Sequence, residues 1–178
     1  SDVYKRQLYG KEKLLNMLPP YQGGGEMIQD VSIEKTTYAC LPHKFEAGTP
    51  NIAGVIAFKK ALDFINETGL EKIKAHEDSL LKYALKKLKA IDSLKIVGTA
   101  KNKSAIISFT IKNIHHYDLG LILDKMGVAI RTGHHCTQPI MKKFNIPGTS
   151  RISFAHYNTI SEIDCFLHSL KKAIKMLS

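Results

Sequence analysis

Val128-Ala129-Ile130-Arg131-Thr132-Gly133-His134-His135-Cys136-Thr137-Gln138-Pro139 is an apolar triplet running into a polar stretch, and its reading decides the fold around it. Val128–Ile130 reads as a short buried strand, while Gly133 and Pro139 mark the residues beyond it as a loop. Loops held on a rigid scaffold commonly present reactive side chains. A thiol reacts as thiolate, which calls for partial exposure and nearby donors or positive charge. Arg131, His134 and His135 all lie within five residues of Cys136 and offer both. Cys136 is therefore a candidate nucleophile. Zinc is the competing use of histidine and cysteine. Adjacent residues on extended backbone point apart, however, and no second Cys-x-x-Cys or His-x-x-x-His pair stands in the sequence, so no metal is expected.

Outward from this stretch the pattern is α/β. Residues 8–50 read as strand and loop, broken by Pro19-Pro20, Gly23-Gly24-Gly25, Pro42 and Gly48, and Pro50 opens a helix to about Asn66. Leu70, Ile73, Leu80, Leu81, Ala84, Leu85, Leu88 and Ile91 recur at helical spacing, which predicts a long helix from Leu70 to Ile91. Strands at 95–97, 105–111, 128–130 and 151–154 come after it, with helices at 117–126, 139–144 and 161–177. The reading divides the chain at the end of the long helix, into residues 8–90 and a compact α+β domain over residues 91–178. Cys165 falls on the apolar stripe Ile160, Ile163, Phe166, Leu167, Leu170, Ile174 and is read as core, as is Cys40 on the same packing grounds. His43, His76, His115, His116, His156 and His168 are read as surface or packing residues, since no spacing groups them.

Two further positions carry chemistry. Thr49-Pro50-Asn51 has the form of a helix opening, with Thr49 as N-cap and Pro50 at the first helical position. Such an end is either a plain cap or an anion site. In Ser150-Arg151-Ile152-Ser153-Phe154 the period-two alternation puts Ile152 and Phe154 on one face and Arg151 with Ser153 on the other. Arg151 is either a surface residue or a carboxylate clamp working through two parallel hydrogen bonds. Tyr21–Ile28 contains three consecutive glycines without a Gly-Lys-Ser/Thr ending, which argues against a P-loop.

Composition is that of a folded chain: 178 residues, 44% hydrophobic and 24% charged. Three cysteines and no apolar run of membrane-spanning length point to a reducing compartment, with the cytoplasm as the default and no membrane association. The net charge of +10 raises the question of nucleic acid. Much of the excess is lysine on the polar sides of two helices (Lys72, Lys74, Lys82, Lys86, Lys87 and Lys89; Lys171, Lys172 and Lys175), without interleaved aromatic residues for base stacking, so a solvated face is expected.

Arg131-Thr-Gly-His-His-Cys136-Thr-Gln-Pro, together with Tyr21-Gln-Gly-Gly-Gly-Glu-Met-Ile28, Phe45-Glu-Ala-Gly-Thr-Pro-Asn51 and Arg151, resembles group II cysteine desulfurases of the SufS type. These are pyridoxal-phosphate (PLP) enzymes of aminotransferase class V, and the resemblance runs from about Leu8 to the C-terminus. It implies the C-terminal part of a fold type I PLP-dependent transferase: residues 8–90 as the remnant of a large PLP-binding domain, residues 91–178 as the small α+β domain. It implies that Cys136 takes sulfur from L-cysteine as a persulfide, leaving L-alanine, with His134 and His135 handling protons or stabilising the thiolate. Arg151 would bind the substrate carboxylate. Arg131 would either assist there, hold the loop base or add positive potential at the thiol. Thr49 would reach the PLP phosphate in a partner subunit's site, which implies a homodimer, with Glu26 at the interface.

The sulfur would pass to a SufE- or SufU-type acceptor for iron–sulfur cluster assembly, and selenocysteine would also serve as substrate. The Schiff-base lysine of the family would precede Leu8, so the chain by itself is expected to be inactive. Residues 1–7 do not resemble the family and read as the translation of a sequencing adapter, which removes Lys5 from consideration. Two other readings stand beside this one: another class V PLP enzyme of kynureninase or aminotransferase type, and a non-catalytic basic binding module.

Overall fold

A computed structural model describes residues 8–178; the reading of residues 1–7 as foreign to the fold falls outside them. The chain divides into two compact units between Glu67 and Thr68.

The first unit holds α1 (Glu12–Met17), the antiparallel pair β1 (Ile28–Val31) and β2 (Thr36–Tyr38), a 3₁₀ turn at His43–Phe45, and most of α2 (Ile52–Thr68). The segment expected to be strand and loop thus contains a short helix. α1 has no buried residue, and its Leu14, Leu15 and Met17 are too short a run to give a sustained periodic pattern. Its last turn is closed from a distance, by Lys44 Nζ donating to the carbonyls of Leu15 and Asn16 at 3.3 and 3.0 Å. The β1–β2 turn is held by Ser32, whose hydroxyl accepts from the N–H groups of Glu34 and Lys35. α2 begins at Ile52, two positions later than the sequence suggests. Asn51 displaces Thr49 as its cap, because the Asn51 side-chain oxygen accepts from Gly54 N–H at 3.0 Å and the Asn51 carbonyl accepts from Val55 N–H at 3.1 Å.

The second unit begins with α3 (Leu70–Leu88), preceded by Gly69 at a positive φ of 86°. β3 (Leu94–Val97), β4 (Ile106–Ile111), α4 (His116–Lys125), β5 (Arg131–Gly133), α5 (Gln138–Phe144), β6 (Thr149–Ser153) and α6 (Ile160–Leu177) complete it. The four strands form one antiparallel sheet in the order β3-β4-β6-β5. Strand alternation gives the sheet two unlike faces. Ile107, Phe109 and Ile111 of β4 and Ile152 of β6 are buried in one core with Leu80, Leu81, Ala84 and Leu88 of α3, Leu119 and Leu123 of α4, and Ile163, Phe166, Leu167 and Leu170 of α6. On the opposite face Ile106 is exposed and Ser108 and Thr110 are half-buried. The apolar stripe of α3 therefore belongs to the C-terminal unit, which is why the division falls before this helix and not near residue 90.

α6 opens with a full capping box: Thr159 accepts from Glu162 N–H, and the Glu162 carboxylate accepts from Thr159 N–H at 2.7 Å. The Thr159 N–H, the Thr159 hydroxyl and the Asn158 amide, all donating to the Glu162 carboxylate, hold it below its ordinary pKa. Cys165 lies off the buried stripe of α6 and is exposed, and Cys40 is exposed as well, so neither is the core residue the sequence suggests. The nine lysines of α3 and α6 and their ends named above are all exposed, as expected of a solvated face. Among the described residues, no helix is long and apolar enough to cross a membrane.

Candidate active site

The strand expected at Val128–Ile130 is displaced to Arg131–Gly133. Val128 and Ile130 pack against the core, but the residues that join the ladder with β6 are the next three. The displacement matters because it puts Arg131 into a sheet register, directly opposite Arg151. Directly opposed residues on antiparallel strands project to the same face, and like charges so placed repel. Arg151 is opposite Ser108 on its other side, so the two guanidiniums rise from the sheet face that the helices leave uncovered. Arg151 Nε is buried and has no hydrogen-bond partner among the described residues. A pair of this kind is suited to an anion, with Arg151 able to offer a fork of donors to a carboxylate.

Cys136 is presented at the same place. It is exposed, and Arg131 Nη2 approaches its Sγ to 3.8 Å, which sets a positive charge beside the sulfur. His135 and Cys136 both have left-handed backbone, at φ 54° and 60°. Such conformations in non-glycine residues cost energy and persist only where the surroundings impose them. Here the constraint is visible. His135 Nε2 lies 3.1 Å from the Thr149 carbonyl oxygen and 2.8 Å from Thr149 Oγ1. A carbonyl only accepts, so Nε2 carries the proton and donates. Burial lowers the His135 pKa from its ordinary value of 6.5, opposed by the Thr149 backbone bond and reinforced by Arg151 and Arg131. The imidazole is thus held toward its neutral form, with Nδ1 a buried acceptor lacking a partner among the described residues. His134 is exposed and contributes its carbonyl, which accepts from Thr137 Oγ1 and from Thr137 N–H, closing the loop into α5. Its side chain borders a groove of about 540 Å³ shared with α5 and the Ile146–Pro147 turn.

One neighbour has no signal of its own in the sequence. His116 stacks on His115 at 4.2 Å between ring centroids, and its imidazole occupies the space that a side chain on Gly148 would fill. Gly148 directly precedes Thr149, the partner of His135. Among the described residues no group of histidines, cysteines and carboxylates is arranged to hold a metal ion.

In the first unit the glycine run and the Phe45–Asn51 stretch come together. Gly48 N–H donates to the Gly25 carbonyl at 2.9 Å, and a Cβ on Gly24 would stand 3.2 Å from both Ala47 Cβ and Gly48 N, a tight fit that a side chain could enter only if this turn gave way by a few tenths of an ångström. Glu26 comes next with φ 68° and an exposed side chain. Thr49 is exposed, and its hydroxyl makes no hydrogen bond among the described residues, which leaves it open to an external acceptor.

The sequence signature of aminotransferase class V matches residues 7–166. The chain belongs to the class-V aminotransferase family. Within that family it is 47% identical over 166 residues to a probable cysteine desulfurase of Streptomyces coelicolor, covering 92% of this chain and 40% of the relative. It is 48% identical over 171 residues to a cysteine desulfurase of Wigglesworthia glossinidia brevipalpis, covering 96% of this chain and 42% of that one. The crystal structure of the Escherichia coli cysteine desulfurase CsdA superimposes with a TM-score of 0.81 at 34% identity, over 96% of this chain and 42% of that protein. The chain therefore spans about 40% of the length of the curated class-V relatives it matches.

Proposed function

We propose that this chain is part of a cysteine desulfurase of the SufS type, in which Cys136 receives the sulfur of L-cysteine. The observation that carries the reading is the juxtaposition of Arg151, Arg131 and Cys136 on one edge of the sheet: a carboxylate site and an exposed thiol joined by a shared guanidinium. Relatives named cysteine desulfurase across nearly the whole chain support it.

The residues present fit a bound PLP in part. Thr49 offers an exposed, unengaged hydroxyl beside a tight glycine-lined turn, as a phosphate contact requires. Members of this family bind PLP, which supplies an electron sink that weakens the carbon–sulfur bond of the substrate. Arg151 orients the substrate by its carboxylate. Cys136 attacks the substrate sulfur; a sulfur–sulfur bond forms as the carbon–sulfur bond breaks, and the carbon skeleton takes up a proton and leaves as L-alanine. Arg131 steadies negative charge on Sγ before the attack. His135 is fixed by Thr149 and serves to hold the loop, which leaves the exposed His134 as the histidine free to move a proton at the thiol. The persulfide is then passed to a SufE- or SufU-type acceptor for iron–sulfur cluster assembly; selenocysteine is a second substrate. The working unit is a cytoplasmic homodimer in which Glu26 makes an intersubunit contact and Thr49 serves the partner's cofactor.

The test is mass spectrometry of the full-length, PLP-loaded enzyme after incubation with L-cysteine. A sulfur adduct is expected on Cys136 and on neither Cys40 nor Cys165, although all three are exposed. Cys136→Ser is expected to retain cofactor and lose the adduct, because a hydroxyl is a far weaker nucleophile toward sulfur than a thiolate. Full turnover by that variant would sink the assignment.

A further inference from the structure

We infer that His116 is a positioning residue for Cys136, acting as a wedge through Gly148, Thr149 and His135. His116 opens α4, the helix that also packs on β5 through the close approach of Gly120 to Thr132. Its Nε2 and Cδ2 fill the place of a side chain on Gly148, so that a Cβ there would force the ring to move, at a residue whose positive φ of 157° also favours glycine. Gly148 and Thr149 are both buried, and Thr149 is opposite Gly133 in the β5–β6 register while bonding His135 through its carbonyl and its hydroxyl. The bonds of His135 to Thr149 thus tie the thiol loop to β6, beside the Arg131–Cys136 contact, and the residue before Thr149 abuts the His116 ring. Displacing Thr149 would release His135 from its left-handed conformation and carry Cys136, its neighbour, away from Arg131.

The ring is neutral when it does this. Burial lowers the His116 pKa below 6.5, His115 and His134 act in the same direction, and the Pro147 carbonyl and Asp118 oppose them. His135, with Arg151 and Arg131 beyond it, faces the same side. The wedge acts mainly through its shape, with the Pro147 carbonyl bond holding the ring, and a ring without a titrating nitrogen should restore most of its effect.

The inference uses the reading of Cys136 as a reactive thiol but not its substrate or cofactor. It is tested on the 178-residue chain by iodoacetamide labelling, with the rates at Cys136, Cys40 and Cys165 resolved by peptide mass spectrometry. Gly148→Ala is expected to slow labelling of Cys136 by about fivefold in the wild-type background, in keeping with the coupling of residues in contact. The same change in a His116→Ala background is expected to have a smaller effect, since the clash with the ring is gone and only the positive φ of Gly148 and the Gly133 carbonyl, 3.1 Å from the new Cβ, remain. Any backbone strain from the alanine is common to both backgrounds and cancels in the comparison. His116→Ala alone should slow Cys136 without altering Cys40 or Cys165, and His116→Phe should restore most of the rate. Equal fold-changes from Gly148→Ala in both backgrounds, or parallel changes at all three cysteines, would overturn the wedge. If the wedge holds and the full-length enzyme nonetheless places no sulfur on Cys136, the proposed activity fails and the positioning role survives.

Discussion

The two units present their candidate groups in opposite ways. Residues 68–178 hold Cys136, Arg131 and Arg151 on a sheet whose other face is sealed by three helices around Phe109, Leu80, Leu88 and Leu170. Among the described residues of the first unit, Met27 is the sole buried hydrophobic side chain, while Met17, Ile33, Ile52 and Ile56 are more than half exposed. An interior is what fixes side chains to a fraction of an ångström, and surfaces of this apolar character mark places where more polypeptide packs. The thiol site is thus held by the interior of its own unit, whereas Thr49 and Glu26 sit on a segment with little interior of its own.

Stability, exchange and binding measurements test this difference between the units. Phe109→Ala removes the largest fully buried side chain and should cost about 3–5 kcal/mol, enough to unfold the second unit in urea titrations, whereas Ile56→Ala in the first should be close to neutral. Hydrogen exchange should agree, with slow amides in β4, β6 and α6 and fast ones through residues 8–67. Equal protection of both would refute the contrast. Next in size, Arg151→Ala in the full-length enzyme should weaken L-cysteine binding by about 2–4 kcal/mol through loss of a bidentate carboxylate contact. An unchanged KM for cysteine would remove the clamp. Thr159→Ala should cost the second unit about 1 kcal/mol by opening the α6 capping box, seen as a lower melting temperature with no change in Cys136 labelling.

The smallest effect is that of pH. His116 and His135 both have pKa values lowered in the folded chain, so below 6.5 the unfolded chain binds protons that the folded one refuses. Stability is then complete above 6.5 and declines as pH falls through it toward the lowered values. Melting temperatures taken from about pH 7.5 down to about 5.5 should show that decline, less steep in His116→Phe. A flat profile would mean that neither ring is held neutral by its burial.

How much of this was legible in the sequence depended on whether the signal was local. The α3 and α6 stripes and the alternation that puts Ile152 in the core are periodic, and both were readable. So was the grouping of Arg131, His134, His135 and Cys136, which are neighbours along the chain. The position of β5 was not, because hydrophobicity at Val128 and Ile130 reports burial, while ladder hydrogen bonds fall on the polar residues beyond them. Thr49 and Asn51 are both good caps, and only the geometry of the Gly54 amide chooses between them. Cys165 belonged to an apolar stretch of sequence but sits to one side of the buried stripe. His116 and Gly148 are related solely through space; the weak trace they left was a paired histidine at a helix start and a glycine just before a strand.

β5 is also an outer strand. Among the described residues it pairs with β6 alone and is three residues long, running from Arg131 to Gly133. An unpaired strand border is a template for adding foreign strands, and natural sheets defend such borders by shortness and charge. The Arg131 side chain and the brevity of β5 supply both, so the strand that faces the thiol also guards this border against self-association. A substitution such as Arg131→Val would remove more than a contact to sulfur: it would leave an apolar, hydrogen-bonding margin beside an exposed cysteine, where aggregation and intermolecular disulfide formation would reinforce each other.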